Sequence, residues 1–327
     1  MIRTLYRTQD GQYHTDLTPD HFAGALKDLS GLLWVDFLDT PKDVDAPILL
    51  NTFGFHPLAV DDALEETHVP KVDDWYQYLY IVLLAPDFDR KAIDLNLLEL
   101  DVFLGKNFVV THHEKPISAV ERVWVSCLRS ERHLKGGADH LLYALVDELV
   151  SQYMPVVDDI DEAIDQLEDR IFGNPEPQTL ERIFRLKRVV LDLRRVISPQ
   201  REVLNRLARD DYAVIDTRDR VYFRDVYDHL VRLNDINESL RDLIGGALDT
   251  YLSVINNRMN DVMKTLTAIT TLFMPISFLA GFFGMNFFQP TAPLDSWTGL
   301  PALIITLLIM IASPLGILWW MRQRKWI

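Results

Sequence analysis

The spacing of apolar and polar side chains changes character twice along the 327-residue chain. Up to about Glu114 the apolar positions come in short runs rich in β-branched and aromatic residues. Leu32-Leu33-Trp34-Val35-Asp36-Phe37 and Tyr78 through Leu84 read as strands. Leu97–Leu104, turning through Gly105-Lys106-Asn107 into Phe108–Thr111, reads as a hairpin. Pro57–Glu66 reads as a short helix, opened by Pro57 and followed by Pro70. From about Asp139 the period lengthens. Leu142, Leu145, Leu149, Met154, Val157, Ile160, Ile164 and Leu167 predict one helix over Asp139–Phe172, stopped by Gly173-Asn174-Pro175. Pro177 starts another helix that runs to about Arg209. A further helix begins near Tyr222 and meets no proline until Pro275. At ~60 residues it would be ~90 Å long, and such a rod needs partners, a bundle, to bury its apolar stripe.

The second change comes after Lys264. No charged side chain follows until Asp295, and after Asp295 none until Arg322. Each uncharged run supplies the ~20 apolar residues that a helix needs to cross ~30 Å of hydrocarbon. Two membrane spans are therefore predicted, about Leu266–Phe283 and Leu300–Met321, forming a C-terminal hairpin. Arg258 and Lys264 precede the first span, Arg322, Arg324 and Lys325 follow the second, and the connecting loop holds no Lys or Arg. By the positive-inside rule both termini face the cytoplasm.

Charge sharpens the picture. The formal net charge is −15, and every acidic residue except Asp295 precedes Thr265. Nucleic acid is an unsuitable partner for so acidic a body. Acidity suits a body that handles cations, but solubility alone is the default explanation until particular carboxylates are placed together. Asp158, Asp159, Asp161, Glu162 and Asp165 read as a solvated negative face. The single cysteine, Cys127, allows no intrachain disulfide and fits a reducing compartment. Met1-Ile2-Arg3-Thr4 opens into polar sequence without the apolar core of a signal peptide, so the body is expected in the cytosol. The chain holds neither G-x-x-x-x-G-K-[ST] nor G-x-G-x-x-G, which leaves ATP-driven transport, an organic cofactor and enzymatic activity without support.

Within the first span Asn260, Met263, Leu266 or Thr267, Thr270, Met274, Ser277 and Gly281 recur at three- and four-residue steps and share one face. Read alone, this thin stripe of hydroxyls, thioethers and glycine is a helix-packing seam. His112 and His113 invite a metal, but neighbours in a strand point to opposite faces, so both read as structural.

Several segments together resemble a known family. Asn260-Asp261-Val262-Met263-Lys264-Thr265-Leu266-Thr267, Phe273-Met274-Pro275 and Gly281-Phe282-Phe283-Gly284-Met285-Asn286-Phe287 are similar to segments of CorA-type divalent cation channels, pentameric Mg²⁺ transporters. So is the basic, Trp-containing end Arg322-Gln323-Arg324-Lys325-Trp326-Ile327. His56-Pro57-Leu58-Ala59-Val60-Asp61-Asp62, Pro70-Lys71-Val72-Asp73, Leu141 through Asp147 and Tyr222 through His229 also look like family segments, in the family's order. Specificity comes from a Gly-Met-Asn tripeptide placed after one span and before another at the C-terminus.

The resemblance implies an α+β cytoplasmic domain built as an α/β/α sandwich, joined by a very long stalk helix to a transmembrane hairpin in a homopentameric funnel. The corresponding segments are 1–137 (α/β domain), 138–221 (antiparallel helical hairpin), 222–264 (stalk), 265–284 (first, pore-lining span), 285–299 (outer loop), 300–321 (second span) and 322–327 (basic tail). It implies an inner-membrane protein, with the lipid bilayer, divalent cations and copies of itself as partners. Gly284, Met285 and Asn286 would form a selectivity filter, and the stripe from Asn260 to Gly281 the pore lining. Met263 and Leu266 would form a hydrophobic gate at the inner end, or only pad the bundle.

Asp62 and Asp225, with Asp61, Asp147 and His229 nearby, match cytoplasmic Mg²⁺ sites that bridge subunits and close the pore. Without the resemblance, Asp61 and Asp62 read as ordinary first-turn helix acids. The chain departs from the family at Phe283, where tyrosine is usual, at Ser277, where threonine is usual, and in an outer loop with one acid, Asp295. Three readings follow: a Mg²⁺ uptake channel that also takes Co²⁺ and Ni²⁺, a ZntB-like Zn²⁺ transporter of the same fold, and a membrane-anchored cation sensor.

Overall fold

The computed structural model describes residues 1–65, 69–130, 132–173, 176–285, 299–324 and 326. They fall into two compact units, Met1–Leu248 and Asp249–Ile327.

The first unit is built on a seven-stranded sheet of order β2-β1-β3-β7-β6-β5-β4. The strands are β1 (Ile2–Arg7), β2 (Tyr13–Thr15), β3 (Leu32–Leu38), β4 (Lys71–Asp74), β5 (Tyr78–Asp89), β6 (Asp94–Gly105) and β7 (Phe108–His113). All neighbours are antiparallel except β3 and β7, which run parallel in the centre. The expected hairpin is β6–β7, closed at Gly105, where an added Cβ would lie 2.2 Å from the Phe108 ring. Nothing larger than glycine fits there without moving the ring.

Alternation along β3 assigns the two faces. Leu33, Val35 and Phe37 join Tyr80, Val82, Phe103 and Val110 in a buried cluster with Phe22 of α1 (Pro19–Ala25) and with Ala59, Val60 and Ala63 of α3 (Pro57–Leu64). Between these helices lie α2 (Lys42–Pro47) and a π turn at Ile48–Thr52 that buries Leu49. The intervening β3 residues face the other way. Trp34 meets Trp124 of α4 (Ser118–Arg129) with ring centroids 4.8 Å apart. Helices on both faces make the α/β/α sandwich.

The second face is completed by α6 (Ala138–Ser151), α7 (Tyr153–Gly173) and α8 (Pro177–Arg209), with the short α5 (Arg132–Lys135) leading in. The single helix expected over Asp139–Phe172 is in fact two, interrupted at Gln152. Pro155 supplies the reason: it sits in the first turn of α7, where its missing N–H forfeits no helix bond. Met154, expected in the core, is exposed, while Val157, Ile160, Ile164 and Leu167 are buried. The acidic face is solvated at Asp158, Asp161, Glu162 and Asp165, but Asp159 pairs with Arg90. β5 outruns its β4 partner beyond Val82, and the open edge at Leu84 is closed by side chains: Tyr153 donates to its carbonyl and Gln200 accepts from its N–H.

Helix α9 (Arg220–Phe283) carries Pro275 inside it and contributes to both units. The second unit holds its C-terminal part together with α10 (Leu300–Gln323). Both helices are long and apolar enough to cross a membrane. Phe273, Phe278, Leu303, Ile305 and Leu308 are among the large apolar side chains left exposed, as a lipid-facing surface requires.

Candidate functional site

The candidate ion path lies in the second unit. Asn260, Met263, Leu266, Thr270, Met274, Ser277 and Gly281 are all on α9 and all exposed in the single chain. The Thr270 hydroxyl donates to the Leu266 carbonyl 2.9 Å away. Its proton is thereby spent on the helix, so the oxygen faces outward as an acceptor. Pro275 has no N–H to offer the Thr271 carbonyl one turn back, which frees a backbone oxygen inside the span. Gly284 closes the helix, its N–H bonding Ala280 O at 3.0 Å, and a Cβ there would sit 2.9 Å from that same oxygen. Met285 follows and is exposed. Asn286 lies outside the described residues.

At the other end of this unit a cleft of about 790 Å³ opens between α9 and the chain terminus, lined by Asn257, Asn260, Met263, Lys264, Met321 and Trp326. Two of the seven stripe residues, Asn260 and Met263, thus line this cleft, with Met321 of α10 and Trp326 on its other side. Trp320 packs edge-on against Trp326, and the Arg324 guanidinium lies 6.0 Å over the Trp320 ring. Amphipathic tryptophans and arginines of this kind anchor a helix end at a membrane surface.

The candidate regulatory carboxylates lie in the first unit. His56 caps α3, its ring nitrogen accepting from Leu58 N at 3.2 Å, and Pro57 fixes the first turn. The helix buries Ala59, Val60, Ala63 and Leu64, which leaves Asp61 exposed and Asp62 half-exposed. No acid occupies its first turn. Asp61 and Asp62 are therefore not first-turn acids, and the helix dipole does not account for them. Asp62 is instead held by the Lys71 ammonium, which also lies 3.0 Å from Asp73.

Asp147 on α6 is half-buried, and Asp225 and His229, one turn apart on α9, are exposed. Burial raises the Asp147 carboxyl above the usual range. His229 opposes the shift, and the neighbouring charges of Asp225 and Glu148 reinforce it. These four groups thus share one electrostatic neighbourhood, in which Arg122 pairs with Glu148 at 2.6 Å. Among the described residues, one chain assembles no group of three or more metal ligands. Oxygen donors are the ligand type that a hard divalent cation takes.

The buried charges that sequence reading missed lie inside the sheet. Asp36 receives Arg3 Nε at 2.7 Å and His113 Nε2 at 3.1 Å. Arg3 reaches on to Glu121 and covers the Trp124 ring at 4.3 Å. On the opposite face His112 sits 3.5 Å from Asp45 and 3.8 Å from Asp101, and Asp101 accepts from Tyr80 at 2.6 Å. A visible signal existed for one of them: Asp36 interrupts an otherwise apolar strand.

An acidic α/β/α body and two C-terminal apolar helices, with an uncharged stripe on the first, define a two-span membrane protein. Comparison with known proteins makes the assignment specific. The family described as CorA-like Mg²⁺ transporter protein matches residues 30–323. The chain is 41% identical over 241 residues to the cobalt/magnesium transport protein CorA of Thermotoga maritima, covering 72% of this chain and 67% of that protein. It is 34% identical to the putative metal ion transporter YfjQ of Bacillus subtilis, over 90% of this chain and 89% of that one. It is 25% identical to the zinc transport protein ZntB of Yersinia enterocolitica, over 96% and 92%. The complete structure of the CorA magnesium transporter from Methanocaldococcus jannaschii superimposes with a TM-score of 0.82 at 22% identity, covering 99% and 98%. This chain belongs to the CorA-like Mg²⁺ transporter family.

Proposed function

We propose that five copies of this chain form a pore through the inner membrane that admits hydrated Mg²⁺, with Co²⁺ and Ni²⁺ as further cargo. Both termini face the cytoplasm. The carrying observation is the uncharged stripe on α9, in a chain 41% identical to a cobalt/magnesium transport protein. Mg²⁺ releases water reluctantly and prefers near-ideal octahedral geometry at ~2.1 Å. A lining without carboxylates is unsuited to replacing that shell, but acceptor oxygens such as Thr270 Oγ1 match the outward protons of a hydrated ion. Asn286, with Gly284 and Met285, is assigned to the outer mouth, where a ring of amide oxygens forms the filter. Met263 and Leu266 narrow the inner end.

No energy source beyond the membrane potential is needed. A divalent ion gains ~4.6 kcal/mol over 100 mV, from ~2.3 per charge, equivalent to more than a thousandfold accumulation. Uptake so favoured calls for a brake. Asp62 and Asp225, with Asp61, Asp147 and His229, are assigned to it across neighbouring subunits. Facing carboxylates repel one another when empty and close on a shared cation. High internal Mg²⁺ then tightens the cytoplasmic body and shuts the pore.

A second reading, Zn²⁺ transport, is favoured by the similarity to a zinc transport protein ZntB. Flux from purified protein into liposomes under an inside-negative potential separates the readings. Mg²⁺ entry well above Zn²⁺ entry is expected. The reverse order would reassign the cargo, and no flux of any divalent ion would leave only the sensor. Asn286→Ala is expected to lose most Mg²⁺ flux at matched incorporation, and wild-type flux in that variant would remove the filter assignment.

A further inference from the structure

Asp62 has a partner that the regulatory reading leaves unused. Lys71 opens β4, and its ammonium bonds Asp62 while lying 3.0 Å from Asp73 and 5.0 Å from the centre of the Tyr80 ring. The Lys71 side chain is 29% exposed, Asp62 41% and Asp73 44%, so the ammonium is more sheltered than the two carboxylates it serves. A lysine ammonium in this setting is a standing cation over the physiological range.

We propose that Lys71 is a built-in competitor for the divalent cation at Asp62, and so sets the Mg²⁺ concentration at which the brake engages. The inference rests on Asp62 being a regulatory ligand. At low Mg²⁺ the ammonium neutralises Asp62, which the helix dipole does not. A divalent ion can bridge Asp62 to a carboxylate of another subunit only after Lys71 has let go. Asp73 makes the release inexpensive, because the ammonium keeps one carboxylate when it gives up the other. A lysine suits this exchange better than an arginine would, being a compact charge with rotatable donors on a flexible stem. The face of Tyr80 holds that stem and its charge in place throughout.

The test is Mg²⁺-dependent protease resistance of the full-length protein in detergent, read as the Mg²⁺ concentration at half-protection. Wild type is compared with Lys71→Met, Lys71→Gln, Lys71→Arg, Lys106→Met and Asp62→Asn. Removing the ammonium should lower the midpoint by about two- to fivefold, the range expected for a part-exposed ion pair. Lys71→Arg should stay near wild type, and Lys106→Met, which removes an equal charge from the β6–β7 turn, should not move the midpoint. Lys71→Gln guards against a folding defect in Lys71→Met: a structural role alone would cut resistance at every Mg²⁺ concentration without lowering the midpoint. A midpoint unchanged or raised in both Lys71→Met and Lys71→Gln, while Asp62→Asn raises it, would overturn the competitor role and leave Asp62 a ligand. A midpoint unmoved in Asp62→Asn would remove the ligand and its competitor together.

Discussion

His112 and His113 are consecutive in β7, yet they serve opposite faces of the sheet, each bound into a separate carboxylate network. His113 and Asp36 link the sheet to α4 through Arg3 and Glu121. His112 links it to α2 through Asp45, with Asp101 and Tyr80 alongside. Neither histidine is free to bind cargo. Together they fasten the two helical layers to the central parallel pair of strands.

Breaking the first network should be costly. Asp36 is fully buried, and its carboxyl is held below the usual range: burial opposes this, but His113, Arg3 and Thr111 outweigh it. Asp36→Ala leaves Arg3 and His113 without their acceptor in a sheltered site, and should destabilise the body by about 3–5 kcal/mol. Glu181→Ala, which breaks the exposed Arg185 pair, should stay within about 0.5 kcal/mol. Denaturant unfolding followed by tryptophan fluorescence measures both. Equal effects would contradict the network's structural role.

The second network predicts a pH dependence. Burial alone would lower the His112 pKa, but Asp101 and Asp45 raise it to about 9. In the unfolded chain the value is ~6.5, so the proton stabilises the fold fully below that pH and the benefit fades as pH rises through about 9. Between pH 7.5 and 10 the wild-type melting temperature should fall more than that of His112→Gln, with about 2 kcal/mol at stake. Parallel melting curves for the two proteins would contradict this account.

The brake should respond to fixed positive charge. In wild type, Mg²⁺ should slow proteolysis of the cytoplasmic body. Asp62→Lys with Asp225→Lys supplies a permanent cation at each position, so the double variant should lose the Mg²⁺ dependence. Mg²⁺-independent cleavage of wild type, or Mg²⁺-dependent cleavage of the double variant, would remove the regulatory assignment.

Local signals were legible in the sequence. The two spans announced themselves by length and lack of charge, the β6–β7 hairpin by Gly105 between apolar runs, and the continuous course of α9 by the lack of an early proline. The break at Gln152 was hidden, because apolar positions continue in helical phase from Leu149 and Val150 into Tyr153 and Val156, although Pro155 was a usable clue. β1 reads as polar sequence because Arg3 alternates with its core residues, and its burial depends on Asp36, Glu121 and Trp124, which come from distant segments. Lys71 was visible as a residue but not as a partner of Asp62, since the chain between them had to fold back first. Partners set by non-local packing are not written in a local period.

Whether the α9 stripe faces water tests the central claim most directly, and the chain is well suited to the measurement. Cys127 is buried, and burial pushes its thiol up to about 12, so it should not react with aqueous thiol reagents. Single cysteines can therefore be placed in the natural background at Ser277, on the stripe, and at Phe278, one position off it. In proteoliposomes, a charged thiol reagent should label Ser277→Cys and block divalent flux, and should leave Phe278→Cys unlabelled and conducting. Labelling of Phe278→Cys with Ser277→Cys untouched would mean that the stripe is packed away from water and that the ion path lies elsewhere.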